Sequence, residues 1–251
     1  MNKYRFPKKK ILNKKTILVT GASDGIGKTA SIYYARYGAD LILLGRNLNK
    51  LQQIKTLILE KYFYRVKIQI FEIDLININE SKCFYLVKSI KNNFSHINGI
   101  LHNASILGES NPIINYSSVV WQNVFKVNIY ATFLLTKFLL PLILESVNGS
   151  IILTSSNVVK KGKANFGAYT TSKFATEGFM KVLHEEYRHS SIRVNCINPG
   201  RVRTKMRITS FQNEKKKLFL PKEIMPVYLY LMSDESIKDS GKVFNCQELI
   251  K

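Results

Sequence analysis

Short apolar runs alternate with longer amphipathic segments along most of the chain, from about residue 16 onward. Six runs are rich in Ile, Val and Leu on both faces, which is typical of strands in a covered sheet. They lie at 16–20, 40–44, 66–71, 99–103, 150–155 and 192–198, and a shorter run lies at 242–246. The segments between them have helical length: 26–37, 48–63, 79–94, 117–145, 168–189 and 222–233. Because strand and helix alternate, the pattern predicts βαβ units and a parallel sheet.

The predicted fold class is α/β: a single-domain, Rossmann-type doubly wound parallel sheet of about seven strands with helices on both faces. A chain of 251 residues, 45% of them apolar, can bury the core of one such domain. We predict a basic N-terminal arm at 1–11 and a single dinucleotide-binding domain at 12–251. Ligands of such sheets bind beyond the carboxyl ends of the strands, so functional residues are expected there.

The charge of the chain raises a second class of function. Lys and Arg total 38 against 17 acidic residues, a formal net charge of +21, which is typical of proteins that bind nucleic acid or an anionic surface. The cations are mostly Lys and are spread over the whole length, with local clusters only in "KYRFPKKK" and "NEKKKL". We favour a solvated basic surface over nucleic-acid binding, which stays the rival hypothesis.

Three further features of the sequence bear on the cellular compartment in which the protein works. The three cysteines have no paired or metal-ligand spacing, which favours a reducing compartment and predicts no metal site. The N-terminus lacks the apolar run of a secretory signal. The most apolar stretch, "ATFLLTKFLLPLILESV", is interrupted by Lys137 and Pro141, so we interpret it as a buried helix rather than a membrane span. We therefore expect a cytoplasmic protein with no membrane partner.

A glycine-rich turn, "TGASDGIG" at 20–27, directly follows the first strand. Gly21 allows a tight turn, Gly25 lets the backbone approach a pyrophosphate, and Gly27 permits close contact between helix and strand. The helix that begins near Ile26 offers free amides and a partial positive charge to phosphates. Its place between strand and helix makes the turn a predicted dinucleotide site. Two further residues of the turn belong to the predicted cofactor contacts: Ser23 and Asp24.

The end of the second strand, "LILLGRN", bears on which dinucleotide binds. An acid at this point bonds the 2′-hydroxyl of NAD, whereas an arginine accommodates the 2′-phosphate of NADP. Here Gly45 occupies the position of the acid and Arg46 follows it, so NADP(H) is favoured and NAD(H) stays possible. The alternative is that Arg46 is an ordinary loop cation.

Tyr169 precedes Lys173 by one helical turn in "YTTSK". Residues four apart share a helix face with Cβ atoms about 5–6 Å apart, so the ammonium can lie beside the phenol. A neighbouring positive charge lowers a phenol's pKa toward working pH, where proton transfer is efficient. The alternative is an amphipathic helix with the tyrosine at its edge and the lysine in water.

Polar segments follow the later strands as well: "EIDL" with Asp74, "LHNAS", "LTSSN" and "INPGRVRT". With "TGASDGIG", "VN" at 127–128 and "YTTSK", these motifs resemble those of the short-chain dehydrogenase/reductase family over residues 12–247. The stretches "ARYGADLILLGRN", "GAYTTSKFATEGFMKVL" and "RVNCINPG" are similar to an enterobacterial subgroup of that family.

The resemblance implies a role for each matching residue. Tyr169 would be the general acid or base, and Lys173 would bond the nicotinamide ribose and lower the phenol's pKa. The family's serine stands thirteen residues before the tyrosine, which selects Ser156 over Ser155. Asn128 would help to hold a water that links Lys173 to solvent. The cofactor contacts implied beyond the glycine turn are Arg46, Asp74, Leu75, Asn103, Ala104, Tyr169, Lys173, Pro199, Gly200 and Thr204.

The implied activity is that of an NADP(H)-dependent oxidoreductase, which interconverts a carbonyl and an alcohol on a small substrate. The long apolar helices at 117–145 and 168–189 pair across a two-fold axis in this family, so we expect a homodimer or homotetramer. A dinucleotide sensor without turnover is a further alternative. Four cations of the segment that would cover the substrate leave an anionic substrate open: Arg201, Arg203, Lys205 and Arg207.

Two residues depart from the family pattern. Ser105 replaces the last glycine of N-N-A-G, and a side chain there would cost about 1–2 kcal/mol if the backbone needed a positive φ. Val159 occupies a position where the subgroup has glycine, close to the expected substrate pocket. Neither departure removes a reacting group.

Overall fold

The computed structural model describes residues 4–62, 66–210 and 218–250. Seven strands in these ranges form one parallel sheet. They are β1 Thr16–Thr20, β2 Asp40–Gly45, β3 Ile68–Glu72, β4 Gly99–His102, β5 Gly149–Thr154, β6 Ile192–Asn198 and β7 Val243–Asn245. The strand order is β3-β2-β1-β4-β5-β6-β7. The predicted α/β class with a doubly wound parallel sheet is therefore confirmed.

Nine α-helices lie in the described ranges. They are α1 Gly25–Arg36, α2 Leu48–Tyr62, α3 Glu80–Lys91, α4 Ser118–Phe125, α5 Ala131–Leu144, α6 Gly167–Tyr187, α7 Lys205–Ser210, α8 Met225–Met232 and α9 Cys246–Leu249. A π-helical turn, Lys126–Tyr130, joins α4 to α5, so the helix predicted at 117–145 is continuous but not uniformly α. Parts of four predictions fall outside the described residues: residues 1–3 of the arm, the end of the second helix at residue 63, the basic run at 213–217 and residue 251 of the domain.

Alternate residues of the central strands pack into two separate hydrophobic cores, one on each face of the sheet. In β1, Ile17 and Val19 pack into the core beneath α1 and α8, whereas Leu18 packs into the core beneath α3, α5 and α6. All five residues of β1 are buried. Side chains of a strand alternate between its faces, so only a strand covered on both sides is apolar throughout. This explains the uninterrupted apolar runs of the sequence.

The order of the strands places a crevice between the carboxyl ends of β1 and β4. The chain proceeds from β1 to β2 and β3 on one side and then returns to β4 on the other side of β1. The connections after β1 and β4 therefore leave the sheet in opposite directions, which opens a space between them. The predicted functional segments lie around this space.

The segment before β1 contacts the domain at several points. The ring of Tyr4 meets that of Tyr230 edge to face, with 5.2 Å between centroids, and Phe6 stacks on Tyr33 at 5.4 Å. Leu12 is completely buried. The division into an arm at 1–11 and a domain at 12–251 stays a prediction.

One helix of the described residues, Ser118–Leu144, is long and apolar enough to cross a membrane, with a mean hydropathy of 1.8. Within its most apolar window, 61% of the helix is buried inside the protein. Its Leu135 and Leu139 lie in the core against the sheet. A buried core helix passes the same test of length and composition, so the test is weak evidence for a membrane span.

Candidate active site

A cleft of about 1060 Å³ opens at the carboxyl ends of the strands. Its wall is built from the segments that follow β1, β2, β3, β4, β5 and β6, together with the start of α6 and most of α7. One cavity thus runs from the glycine-rich turn to Tyr169. A parallel sheet produces this arrangement because its strands all end at the same edge.

The glycine-rich turn requires glycine at two positions in particular. Gly21 has φ +64°, and a Cβ there would lie 2.9 Å from the Cα of Ala104. A Cβ on Gly27 would collide with the carbonyl oxygen of Gly21. The turn therefore packs backbone against backbone, which brings the N-terminus of α1 to the floor of the cleft. Such a cradle fits the pyrophosphate of a dinucleotide.

Asp24 lines the cleft and also caps the N-terminus of α1. Its Oδ1 accepts a hydrogen bond from the Gly25 N–H at 2.7 Å, and its Oδ2 lies 3.8 Å from the Nζ of Lys50. An aspartate at this position stabilises the first turn of a helix. The Asp24 carboxylate thus accepts a hydrogen bond from one of the backbone amides that were expected to bind phosphate.

Thr20 ties the glycine turn to the end of β4. Its Oγ1 accepts hydrogen bonds from the N–H groups of Asn103 and Ala104, both at 3.0 Å. The side-chain Nδ2 of Asn103 donates to the Thr20 carbonyl at 3.4 Å. Asn103 and Ala104 line the cleft as predicted, and the Asn103 amide also holds the turn in place.

The end of β2 is crowded around residue 45. A Cβ on Gly45 would lie 3.3 Å from both the Oγ of Ser23 and the Cδ2 of Leu51. The next residue, Arg46, is exposed and lines the cleft, and so does Lys50. Two cations therefore border the end of the cleft where a ribose phosphate would lie. Lys50, in the first turn of α2, was not predicted from the sequence.

Asp74 lies in the wall next to this end. Its Oδ1 accepts from the Ile76 N–H at 3.1 Å, and its Oδ2 accepts from the side chain of Asn77 at 3.2 Å. Asp74 thus begins a short 3₁₀ turn that also carries Leu75 into the lining. A carboxylate can accept more than two hydrogen bonds, so the Asp74 oxygens have room to accept another from an adenine amino group.

Ser156 and Tyr169 line the other end of the cleft. The neighbouring Ser155 instead donates to Oε1 of Glu177 and is almost completely buried. Burial raises the pKa of Tyr169 above its ordinary value, while the nearby Ser156 hydroxyl and the charge of Arg207 lower it. The geometry thus brings together the serine that the family offset selects and the tyrosine.

Lys173 is buried under Tyr169. Its Nζ donates to the carbonyl oxygen of Thr154 at 2.8 Å and lies 5.5 Å from the centre of the Tyr169 ring. Burial lowers the pKa of Lys173 to about 8, although a coulombic interaction with Cys196 raises it. Burial is the largest influence on the pKa of Tyr169, and the lowering of that pKa by Lys173 stays a prediction.

Asn128 lies in the π-helical turn behind the cleft wall. Its Oδ1 accepts from the Ile106 N–H at 2.9 Å, and its Nδ2 donates to the Ile106 carbonyl and to the Ser172 Oγ, at 3.0 and 2.9 Å. Both ends of the amide are thus bonded to the protein. The side chain joins the segment after β4 to α6, and its predicted role in holding a water stays a prediction.

The cleft brings together all but two of the predicted site residues. Gly27 and Asn128 lie behind its lining. The residues that line it are Gly21, Ser23, Asp24, Gly25, Ile26, Arg46, Asp74, Leu75, Asn103, Ala104, Ser156, Tyr169, Lys173, Pro199, Gly200 and Thr204. Their separation along the chain is large, so the fold itself assembles the site.

The two departures from the family pattern differ in their surroundings. Ser105 does not have a positive φ, so the strain that we considered at this position is absent. Its Oγ is buried and has no hydrogen-bond partner among the described residues. Val158, rather than Val159, lines the cleft.

Some residues in and around the cleft were not singled out from the sequence. Ile106 and Phe166 line the cleft; Ile106 is positioned by Asn128, and Phe166 precedes the first turn of α6. Gln247, outside the lining, packs against Gly200 and donates from Nε2 to the Arg201 carbonyl at 2.9 Å. No periodic pattern indicates these residues, because tertiary contacts position them. Within the described ranges, no three His, Cys, Asp or Glu side chains are grouped to hold a metal ion.

A family model described as short chain dehydrogenase matches residues 15–215 of this sequence. The chain therefore belongs to the short chain dehydrogenase family and is an oxidoreductase. The uncharacterized oxidoreductase YciK of Escherichia coli K12 is 49% identical over 242 residues, which cover 96% of this chain and 95% of that protein. The predicted family, the resemblance to its enterobacterial subgroup and the enzyme class are confirmed.

Solved structures are similar over nearly the whole chain. A short chain dehydrogenase from Salmonella enterica serovar Typhi CT18 has a TM-score of 0.93 at 48% identity, covering 97% of this chain and 100% of that one. A homologue from Escherichia coli CFT073, complexed with NADPH, has a TM-score of 0.91 at 49% identity, covering 96% of this chain and 100% of that one.

Proposed function

We propose that this protein is an NADP(H)-dependent oxidoreductase that interconverts a carbonyl and an alcohol on a small substrate. The observation that carries the proposal is that one cleft, which begins at the glycine turn, brings Ser156 and Tyr169 together with the buried Lys173. When bound, the nicotinamide supplies or accepts the hydride. The residues of this chain supply orientation, a proton and exclusion of water.

Tyr169 is the proposed general acid in reduction and the general base in oxidation. Its raised pKa keeps the phenol protonated at neutral pH, which is the form that protonates a carbonyl oxygen. Ser156 binds the same oxygen and polarises the carbonyl. Lys173, held by Thr154, is the residue that would bond the nicotinamide ribose. Asn128 positions Ile106 and the segment after β4.

NADP(H) is the proposed cofactor, with NAD(H) as the weaker one. Arg46 and Lys50 line the end of the cleft near Ser23, and Gly45 leaves no acid to repel a 2′-phosphate. The homologue complexed with NADPH supports the same preference. The glycine turn and the start of α1 would hold the pyrophosphate, and Pro199, Gly200 and Thr204 would lie along the nicotinamide.

The test is a cofactor titration followed by a carbonyl panel. We expect NADPH to bind more tightly than NADH, and Tyr169→Phe to lower the reduction rate by roughly 10²–10⁴-fold while NADPH affinity changes little. Absorbance of NADPH measures turnover, and calorimetry measures binding. Unchanged turnover of Tyr169→Phe would overturn the assigned proton donor, and tighter NADH binding would overturn the role of Arg46.

We also propose that the protein is a cytoplasmic homodimer or homotetramer. Large apolar side chains are exposed on the faces of α4, α5 and α6, as the long apolar helices of the sequence predict. The alternatives of a dinucleotide sensor without turnover and of a nucleic-acid-binding protein gain no support. The reacting groups of an enzyme are all present in the cleft, and the cations are distributed over the chain.

A further inference from the structure

The side chain of Asn198 connects three segments near the carboxyl end of the sheet. Asn198 is the last residue of β6 and is only 3% exposed. Its Nδ2 donates to the Oδ1 of Asn157 at 2.7 Å and to the Oδ1 of Asn245 at 2.9 Å. Its Oδ1 accepts from the N–H of Gly200 at 3.0 Å. One buried amide therefore joins the segment after β5, the end of β7 and the turn after β6.

The partners of this amide fix its orientation. A backbone N–H can only donate, so the Asn198 atom that faces Gly200 is the oxygen. The nitrogen then has two hydrogens, one for each of the neighbouring side-chain oxygens. Both polar atoms of the buried amide are thus bonded, which favours one arrangement of the three segments over others.

Two of the three segments carry residues of the proposed active site. Asn157 directly follows Ser156, and both line the cleft. Pro199 and Gly200 line it as well, along the proposed place of the nicotinamide. Backbone pairing between β5 and β6 stops before these residues. The Asn198 side chain therefore continues the connection between the two segments beyond the end of the sheet.

The C-terminal segment supports the same turn from behind. Gly200 has φ +72°, and a Cβ there would lie 2.5 Å from the Cδ of Gln247. The Nε2 of Gln247 donates to the Arg201 carbonyl at 2.9 Å. Neither Gln247 nor Asn245 lines the cleft. An effect of Asn245 on the cofactor therefore has to pass through neighbours such as Asn198.

We propose that Asn198 is a positioning residue, which holds the turn along the nicotinamide in register with the catalytic serine. This inference rests on the proposed NADP(H)-dependent function and adds a residue that assembles its site. Asn198 lies behind the lining of the cleft, so it acts through Gly200 on the nicotinamide side and through Asn157 on the serine side. The glycine turn and Arg46, which would hold the adenosine half of the cofactor, do not depend on it.

The test compares two nucleotides that differ only by the nicotinamide, NADPH and 2′-phospho-ADP-ribose. The ratio of their affinities, measured by calorimetry, gives the contribution of the nicotinamide, and we expect wild type to prefer NADPH. Asn198→Ala should reduce this ratio about 5–20-fold, with the affinity for 2′-phospho-ADP-ribose changing less than about threefold. The fluorescence of bound NADPH, which reports on the reduced ring, should shift toward that of the free nucleotide.

Asn195→Ala is the matched control. Asn195 is a completely buried residue of the same strand, and its amide bonds the carbonyl of Asp239 at 2.7 Å and the N–H of Lys242 at 3.1 Å, outside the lining of the cleft. Both alanine variants should unfold at lower urea concentrations than wild type, but only Asn198→Ala should reduce the affinity ratio. A ratio that both variants reduce equally, or that neither reduces, overturns the positioning role.

Asn245→Ala provides a second variant if Asn198→Ala does not fold. It removes one of the three hydrogen bonds of the Asn198 amide, so the affinity ratio should fall about 2–5-fold. In a protein that already carries Asn198→Ala, the same change should reduce the ratio less than about twofold, because both residues act through one contact. An unchanged ratio in Asn245→Ala, or full additivity of the two changes, contradicts the inference.

The binding of NADPH by wild type separates this inference from the proposed function. A wild-type protein that binds NADPH and 2′-phospho-ADP-ribose with equal affinity would sink the positioning role and leave the oxidoreductase proposal intact. Failure of wild type to bind NADPH would instead overturn the proposed function and, with it, this inference.

Discussion

Two neighbouring serines at the end of β5 illustrate how one residue position separates chemistry from stability. Ser156 lines the cleft near Tyr169, whereas Ser155 donates a hydrogen bond to Glu177 of α6. Successive residues of an extended segment point to opposite sides, so only one of the two faces the reacting tyrosine. Replacing each serine by alanine therefore tests which of the two takes part in the reaction and which stabilises the fold.

We expect Ser156→Ala to lower kcat/KM for carbonyl reduction by roughly 10²–10³-fold, because a hydrogen-bond donor to the developing oxyanion is lost. Ser155→Ala is expected to lower the free energy of unfolding by about 1.5–3 kcal/mol, because it removes a buried bond to a carboxylate. Its turnover should change only a few-fold. Steady-state kinetics measures kcat/KM of both variants, and urea unfolding measures their free energies of unfolding. The reverse result, with Ser155 controlling turnover, would contradict the geometry.

Lys173 makes stability depend on pH. Its pKa is about 8 in the fold and 10.5 in the unfolded chain, so the unfolded chain holds more protons between these values. Stability therefore rises with pH in this window, and the cost of the buried charge is fully present below pH 8. From pH 7 to pH 9.5 the wild type should gain about 2 kcal/mol in unfolding free energy relative to Lys173→Met.

Urea unfolding of both proteins at the two pH values measures this difference, and other titrating groups cancel between them. Lys173→Arg is the control, since its guanidinium stays charged and should show no gain in this range. Parallel stability curves for wild type and Lys173→Met would mean that Lys173 is not a desolvated cation.

At the residue scale, the sequence identified which side chains meet but not their energetics. The spacing of Tyr169 and Lys173 is sufficient to place them on one face of α6. The direction of the pKa shift of Tyr169 could not be predicted, because it depends on burial by segments far away in the chain. Lys50 and Gln247 were missed for a related reason, since their roles arise from neighbours that only the fold brings together.

At the scale of elements, apolar runs predicted the strands closely. The run at 192–198 coincides with β6, and that at 40–44 is one residue shorter than β2. Helices were predicted by length and periodicity, so α7, with six residues, was missed. The π-helical turn Lys126–Tyr130 was also missed, because no local pattern marks it; its Asn128 makes a tertiary hydrogen bond to Ile106.

The stability of the π-helical turn should depend on the side-chain amide of Asn128. We expect Asn128→Ala to lower the free energy of unfolding by roughly 2–4 kcal/mol, because the N–H and carbonyl of Ile106 lose their partner. NADPH affinity should fall as well, since Ile106 lines the cleft. Gln122→Ala, an exposed residue of α4, is the control. Urea unfolding and NADPH calorimetry measure the two effects, and an Asn128→Ala protein as stable as the control would refute the structural role.

At the scale of the whole molecule, charge and apolar surface act in opposite directions. A net charge of +21 keeps copies of the chain apart by electrostatic repulsion. Exposed apolar side chains on α4, α5, α6 and the π-helical turn favour association: Val119, Tyr130, Phe133, Phe174 and Val182. Added salt screens the repulsion but not the apolar contact, so we expect assembly to strengthen with ionic strength.

The proposed homo-oligomer therefore depends on the apolar face of α5 and α6. Phe133 is 42% exposed and contacts Phe179 of α6, and Phe174 is 49% exposed. We expect Phe133→Glu combined with Phe174→Glu to reduce the mass measured by light scattering to that of one chain, because two charges would be buried unpaired in the interface. Phe84→Glu is the control, since this residue of α3 is 59% exposed on a different helix. A wild-type protein that stays monomeric at high salt, or an assembly that survives the double substitution, would place any contact between copies elsewhere.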